Sequence, residues 1–138
     1  MPRLVATQYR LFQGEESSVL AAEQNNAHDF GGELVLTLEG GDQVFVSWVN
    51  EPVQHSIGIK DSSHFVAEAG LICYDVSHSK MWSKLVGSDI NFKFIAANNQ
   101  ILEISSATDH VLACSFERGH WWADEVMICK EAPPLDHA

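Results

Sequence analysis

Residues 89–130 read INFKFI, AANN, QILEIS, SATD, HVLACSF, ERGH and WWADEVMICK, so four short apolar runs are separated by three clusters of turn-forming residues. This pattern predicts consecutive antiparallel strands, a β-meander. Side chains alternate along a strand, so Phe92 and Phe94 share a face, as do Leu102 and Ile104, and Leu112, Cys114 and Phe116. In the last run Trp122, Val126 and Ile128 fall on one face and Met127 and Cys129 on the other. A strand apolar on both faces belongs at the centre of a sheet or under cover on both sides.

The same alternation recurs upstream. In residues 3–12, Val5, Thr7, Tyr9 and Leu11 form the face expected to be buried, while Leu4, Ala6 and Phe12 share the other with Gln8 and Arg10. Residues 33–50 read as a hairpin, ELVLTLE and QVFVSWVN around GGD. A three-residue loop aligns Leu34, Leu36 and Leu38 with Val44, Val46 and Trp48 on one face, and a one-residue slip would expose that face. Gly40 and Gly41 supply the positive φ that a bulged turn requires. Pro52 ends the second arm, because it cannot donate to a ladder. Further strands are expected at 55–60 and at 71–76, where LICYDV is almost continuously apolar. Two segments keep helical rhythm. EESSVLAAEQ at 15–24 places acids at a helix start. At 79–86, Met81, Trp82, Leu85 and Val86 recur at helical spacing, with Ser79 as cap and Gly87 as stop. NNAHDFGG at 25–32 reads as loop and 131–138 as a frayed tail broken by two prolines. The fold class is mainly β: an antiparallel meander forming a barrel or sandwich of about 8–10 strands with one or two short helices. The whole of 1–138 is expected to form one globular domain.

Composition adds a bias of charge. The 138 residues carry 46% hydrophobic residues and a formal net charge of −11. No run approaches the ~20 apolar residues of a membrane span, and the N-terminus lacks the apolar block of a signal peptide, so a cytoplasmic protein is expected. Between Arg10 and Lys60 there is no Lys or Arg, while Glu15, Glu16, Glu23, Asp29, Glu33, Glu39, Asp42 and Glu51 all fall there. Such a surface repels nucleic acid and anionic lipid and attracts basic partners from a distance.

Candidate chemistry is sparse. The histidines at 28, 55, 64, 78, 110, 120 and 137 make no HxH, HxxxH or HExxH spacing and read as surface residues rather than metal ligands. Cys73, Cys114 and Cys129 are odd in number, lie in apolar runs and read as buried thiols. Neither a nucleophile elbow nor a phosphate-binding glycine loop is present, so no catalytic residue, metal or cofactor is expected. Asp124 and Glu125 point to opposite faces of a strand, and one of them is expected to pair with Arg118 or Lys130. Trp121 and Trp122 diverge in the same way, so one of the two should leave the core, either as an anchor for a partner or to plug a barrel end or cover a second small cluster.

The acid-only span 15–51 and the meander with SFERGHWWADEV make the chain resemble the small acidic immunity proteins of bacterial polymorphic toxin and secreted effector systems. The resemblance implies a basic toxin as partner, occluded at its active site, with Glu15, Glu16, Glu23, Asp29, Glu33, Glu39, Asp42, Glu51, Trp121 and Trp122 as the contact set. Two other readings follow from the pattern alone. One is a small-molecule-binding barrel, with or without a modest enzymatic site, whose pocket is lined by Trp48, Tyr74, Phe92 and Phe94. The other is a homo-oligomer formed through an apolar edge or face.

Overall fold

The structure is a computed structural model that describes residues 2–22, 27–53, 55–115 and 125–131. Among the described residues ten strands and one α-helix follow in the order β1 (Leu4–Leu11), α1 (Glu15–Ala22), β2 (Ala27–Phe30), β3 (Glu33–Leu38), β4 (Gln43–Val49), β5 (Ser56–Lys60), β6 (Ile72–Asp75), β7 (Asn91–Phe94), β8 (Ile101–Ser105), β9 (His110–Cys114) and β10 (Val126–Cys129). They form two antiparallel five-stranded sheets, β5-β4-β3-β1-β6 and β2-β10-β9-β8-β7, packed as a sandwich rather than a closed barrel. The core between them draws Tyr9, Leu11, Leu34, Leu36, Val46 and Ile57 from the first sheet. Phe30, Leu102, Ile104, Val111, Val126 and Ile128 meet them from the second.

The meander is present in the expected order, β7 to β10, each strand paired with the next. The last strand is central, between β9 and β2, and all four of its residues are buried. Its Val126 and Ile128 enter the main core, while Met127 and Cys129 join Ile101, Leu112 and Cys114 in a second cluster on the opposite face. The hairpin register also holds. Leu34 faces Val46, Leu36 faces Val44, and Leu38 N–H donates to Asp42 O across a three-residue loop. Gly40 and Gly41 both have positive φ there.

Three expectations change. NNAHDFGG contains a strand, β2, because His28 and Phe30 alternate inward and β10 supplies the ladder partner. In β1 the register shifts between Leu4 and Ala6. Val5 is the extra residue of that bulge and turns outward, 43% exposed, while Leu4 turns into the core. Residues 79–86 form successive turns instead of a helix. Hydrogen bonds restart at the Ser79 and Trp82 carbonyls, and the segment is pinned at both ends to the edge of β1, by Val76 N–H to Thr7 O and Gly87 N–H to Leu4 O. Ser79 Oγ makes no cap bond. LICYDV holds the expected strand, β6, which lies at the edge of the first sheet with Ile72, Cys73 and Asp75 exposed. Trp121, Trp122, Glu23, Arg118, Asp124, Phe116, His120 and the tail from 132 lie outside the described residues. Lys130 Nζ pairs with Asp109 at 2.8 Å.

The turn segment matters because it delivers Trp82, which is fully buried. Its indole N–H donates to Tyr9 Oη at 2.8 Å, and Tyr9 Oη lies 2.6 Å from His28 Nδ1. One buried hydrogen-bonded chain therefore joins the turns, the first sheet and the second. Tyr9→Phe removes the acceptor of the indole N–H and is expected to lower the unfolding free energy by about 1–3 kcal/mol, read as a shift in denaturant midpoint at unchanged slope.

Candidate functional site

β5 and β6 are the two edges of one sheet and consecutive strands in sequence. The connection 61–71 must therefore cross four strand spacings, about 19 Å. The inner face is occupied by the second sheet, so it crosses the outer one. There Glu33 holds it. Ser63 Oγ donates to Glu33 Oε2 at 2.6 Å, and His64 N–H donates to Oε1 at 2.9 Å. Arg10, directly opposite Glu33 in the ladder, pairs with the same carboxylate and also donates to Ser63 Oγ at 2.8 Å. The Glu33 side chain is 0% exposed.

The His64 ring packs over β4 and β5. Its Nε2–H donates to Phe45 O at 2.9 Å. A Cβ at Gly58 would come within 2.6 Å of Val49 and 3.1 Å of the His64 ring, so only glycine leaves the ring room. Burial pushes the His64 imidazole below its ordinary value, and the bond to Phe45 and the Glu33 charge offset this only in part. Although Ser63, His64 and Glu33 cluster, they form no nucleophilic triad. The serine donates to the carboxylate, and the His64 ring nitrogen faces a backbone carbonyl.

Beyond His64 the crossing segment sets Phe65 edge-on to Phe12, ring centroids 5.6 Å apart, and to Trp48 at 6.4 Å. Trp48 Nε1–H donates to Gly31 O at 2.9 Å. All three rings are half-buried. Carboxylates stand around them. Glu15 Oε1 accepts from Phe12 N–H at 2.8 Å and its Oε2 from Gly31 N–H at 2.5 Å, so this acid clasps the corner together. Glu16 accepts from Gly14 N–H. Glu51 is exposed and follows β4 at the same end. A Cβ at Gly32 would stand 1.8 Å from Arg10 O, so the approach of this corner to β1 requires glycine.

The acid-only span is thus divided. Glu15 and Glu16 open the helix that follows Phe12, and exposed Glu51 follows Trp48 by three residues. Glu39 and Asp42 are exposed at the hairpin tip, at the far end of β3, where Glu39 pairs with Arg3 at 3.6 Å. Arg3, Glu39, Pro2 and Asp89 line a shallow open depression there. Asp29 is exposed on β2. Glu33 leaves the set, since its buried carboxylate is spent on the crossing segment. The pattern gave no sign of Phe12 and Phe65 as site residues, because their partner in each case is distant in sequence.

The ligand pocket expected from Trp48, Tyr74, Phe92 and Phe94 is not assembled. Tyr74 sits on β6 beside Tyr9, and β4, which carries Trp48, is three strand spacings away, about 14 Å. Tyr9, Leu34 and Val46 fill the space between, all 0% exposed. His28 and His64 are also not the surface residues expected: His28 is buried and His64 half-buried. Cys73 is exposed, whereas Cys114 and Cys129 are buried. Among the described residues no three of His, Cys, Asp and Glu stand together as a metal site, and no helix is long and apolar enough to cross a membrane. Comparison with known protein families, with curated proteins and with solved structures finds no match.

Two consequences can be measured. Unfolded His64 takes up a proton near its ordinary 6.5, whereas the folded ring resists until lower pH. The unfolded state therefore binds more protons in that window, and stability falls as pH drops below 6.5. His64→Gln keeps a donor and removes the titration, so the stability loss between pH 6.5 and 5 should be shallower in the variant. Glu33→Gln leaves Arg10 without its counter-charge and should lower stability by roughly 3 kcal/mol at pH 7, read by chemical denaturation.

Proposed function

We propose that this protein is a cytoplasmic inhibitor of the immunity type, which binds a basic bacterial toxin and occludes its active site. The observation that carries the reading is the aromatic corner. Phe12, Phe65 and Trp48 form a half-buried ring cluster beside Glu15, Glu16 and Glu51. Rigid aromatic anchors beside charged groups are the composition of an interface centre and its rim. Toxins that attack nucleic acid are basic around their active sites, and a carboxylate-rimmed surface meets them with complementary potential. Arg10, the cation of the first strand near the corner, is paired with Glu33, so its charge does not offset the acids there. The net charge of −11 steers the encounter from further away. Trp48 serves as anchor, with Glu16 and Glu51 as the charged contacts. Glu15 positions the corner by holding two backbone amides.

The test uses a basic toxin made by the same cell. Stopped-flow association should slow at least about ten-fold between low and high salt, as expected of a steered encounter. Glu16→Lys combined with Glu51→Lys should slow it further, with the thermal midpoint unchanged. Association that ignores both salt and the double reversal, or a chain that fails to protect cells producing the toxin, refutes the reading.

A further inference from the structure

The second cluster, on the outer face of β8, β9 and β10, concentrates sulfur. Cys114 and Cys129 lie on neighbouring strands with Sγ atoms 3.9 Å apart. Met127 stands directly opposite Cys114 in the ladder and two positions from Cys129, so its thioether is on the same face. The three residues are 1%, 4% and 9% exposed, for Cys114, Cys129 and Met127 in turn, and among the described residues Ile101 and Leu112 belong to the same cluster, with Ala27 and Ala96 packed against it.

Two buried thiols at this spacing can be linked in two ways. A disulfide needs the sulfurs at about 2.05 Å, roughly half the distance present, across a diagonal pair where the Cα separation is already at the limit of about 7 Å. A shared metal ion needs no approach at all. With metal–thiolate bonds of about 2.3 Å at 120°, two sulfurs sit roughly 4.0 Å apart. The spacing, which in the metal-free protein is that of a thiol–thiol hydrogen bond, also matches that of a trigonal ion, and Met127 brings a third sulfur to the same face. Thiolate and thioether ligands in an apolar surround select soft, closed-shell monovalent ions over hard ones.

We propose that Cys114, Cys129 and Met127 form a binding site for a soft monovalent metal ion, Cu(I) in a reducing cell and Ag(I) as its redox-inert analogue. On binding, the two S–H bonds break, both protons pass to solvent, and two thiolates and one thioether donate electron pairs to the ion, with no change of oxidation state. The site ties β9 to β10 and is separate from the aromatic corner. It stands whether or not the toxin-inhibitor reading does.

The experiment uses the full chain carrying Cys73→Ser, which removes the exposed thiol, without oxygen. Ag(I), and Cu(I) against a chromophoric competitor, are titrated with the ultraviolet thiolate-to-metal band as readout. One ion per chain should be retained, with a thermal midpoint raised by the ion. Cys114→Ala and Cys129→Ala should each lower affinity at least about 100-fold, and Met127→Leu about ten-fold, since losing a ligand costs no less than the roughly 10–100-fold that follows loss of a group that merely orients one. Near-ultraviolet circular dichroism of each metal-free variant establishes that it is folded. Retention of less than one ion in the folded parent, or retention unchanged by both alanine variants, overturns the proposal. So does binding only after denaturation.

Discussion

The buried carboxylate of Glu33 is the constraint on which the first sheet depends. A charge removed from water is tolerated only if its oxygens are taken up by donors, and here Arg10, Ser63 and the His64 amide provide them. Those donors come from an adjacent strand and from a connection that must span the sheet. The carboxylate thus fixes where residues 61–71 cross. With the crossing fixed, the His64 ring falls over Gly58, and Phe65 falls between Phe12 and Trp48. The aromatic corner is a downstream result of one ion pair in the neighbouring ladder position.

The same pair shapes the field outside. Arg10 is the last cation before Lys60, and Glu33 consumes it from within. The corner therefore sets half-buried rings beside acids that Arg10 does not offset, although one of the acids of the span is used structurally. Glu15 shows the other side of this economy. Its charge is part of the rim, yet its oxygens hold the backbone of Phe12 and Gly31 in place.

Much of the fold was legible where burial enforces a single register. The 33–50 hairpin could be aligned because a slip would have turned Leu34, Leu36 and Leu38 outward. The last strand could be placed centrally because Val126, Met127, Ile128 and Cys129 are all apolar. What could not be read depends on distant partners. Ala27–Phe30 carries polar His28 and Asp29 and looks like a loop until β10 is beside it. Met81, Trp82 and Leu85 keep helical spacing, but docking on β1 at Leu4 and Thr7 decides their backbone. Glu33 looked like a surface acid among other acids, and nothing near it in sequence announces Ser63 and His64. The site was therefore only partly legible: Glu15, Glu16 and Glu51 came from the charge pattern, Phe12 and Phe65 from the structure alone.

The placement of β2 has a consequence for how the molecule is made. This strand leaves the first sheet, crosses to the second, and pairs Ala27 with Cys129 before the chain returns at once to β3. The pairing spans most of the sequence, and loop closure of that length is an entropic cost met before any reward. During synthesis His28 and Phe30 wait without their ladder partner while the strands on either side can already pair. Folding should then be slow and close in a late step. A nascent chain halted before residue 126 would expose an unpaired strand, the kind of edge that chaperones recognise and that aggregates when they are absent.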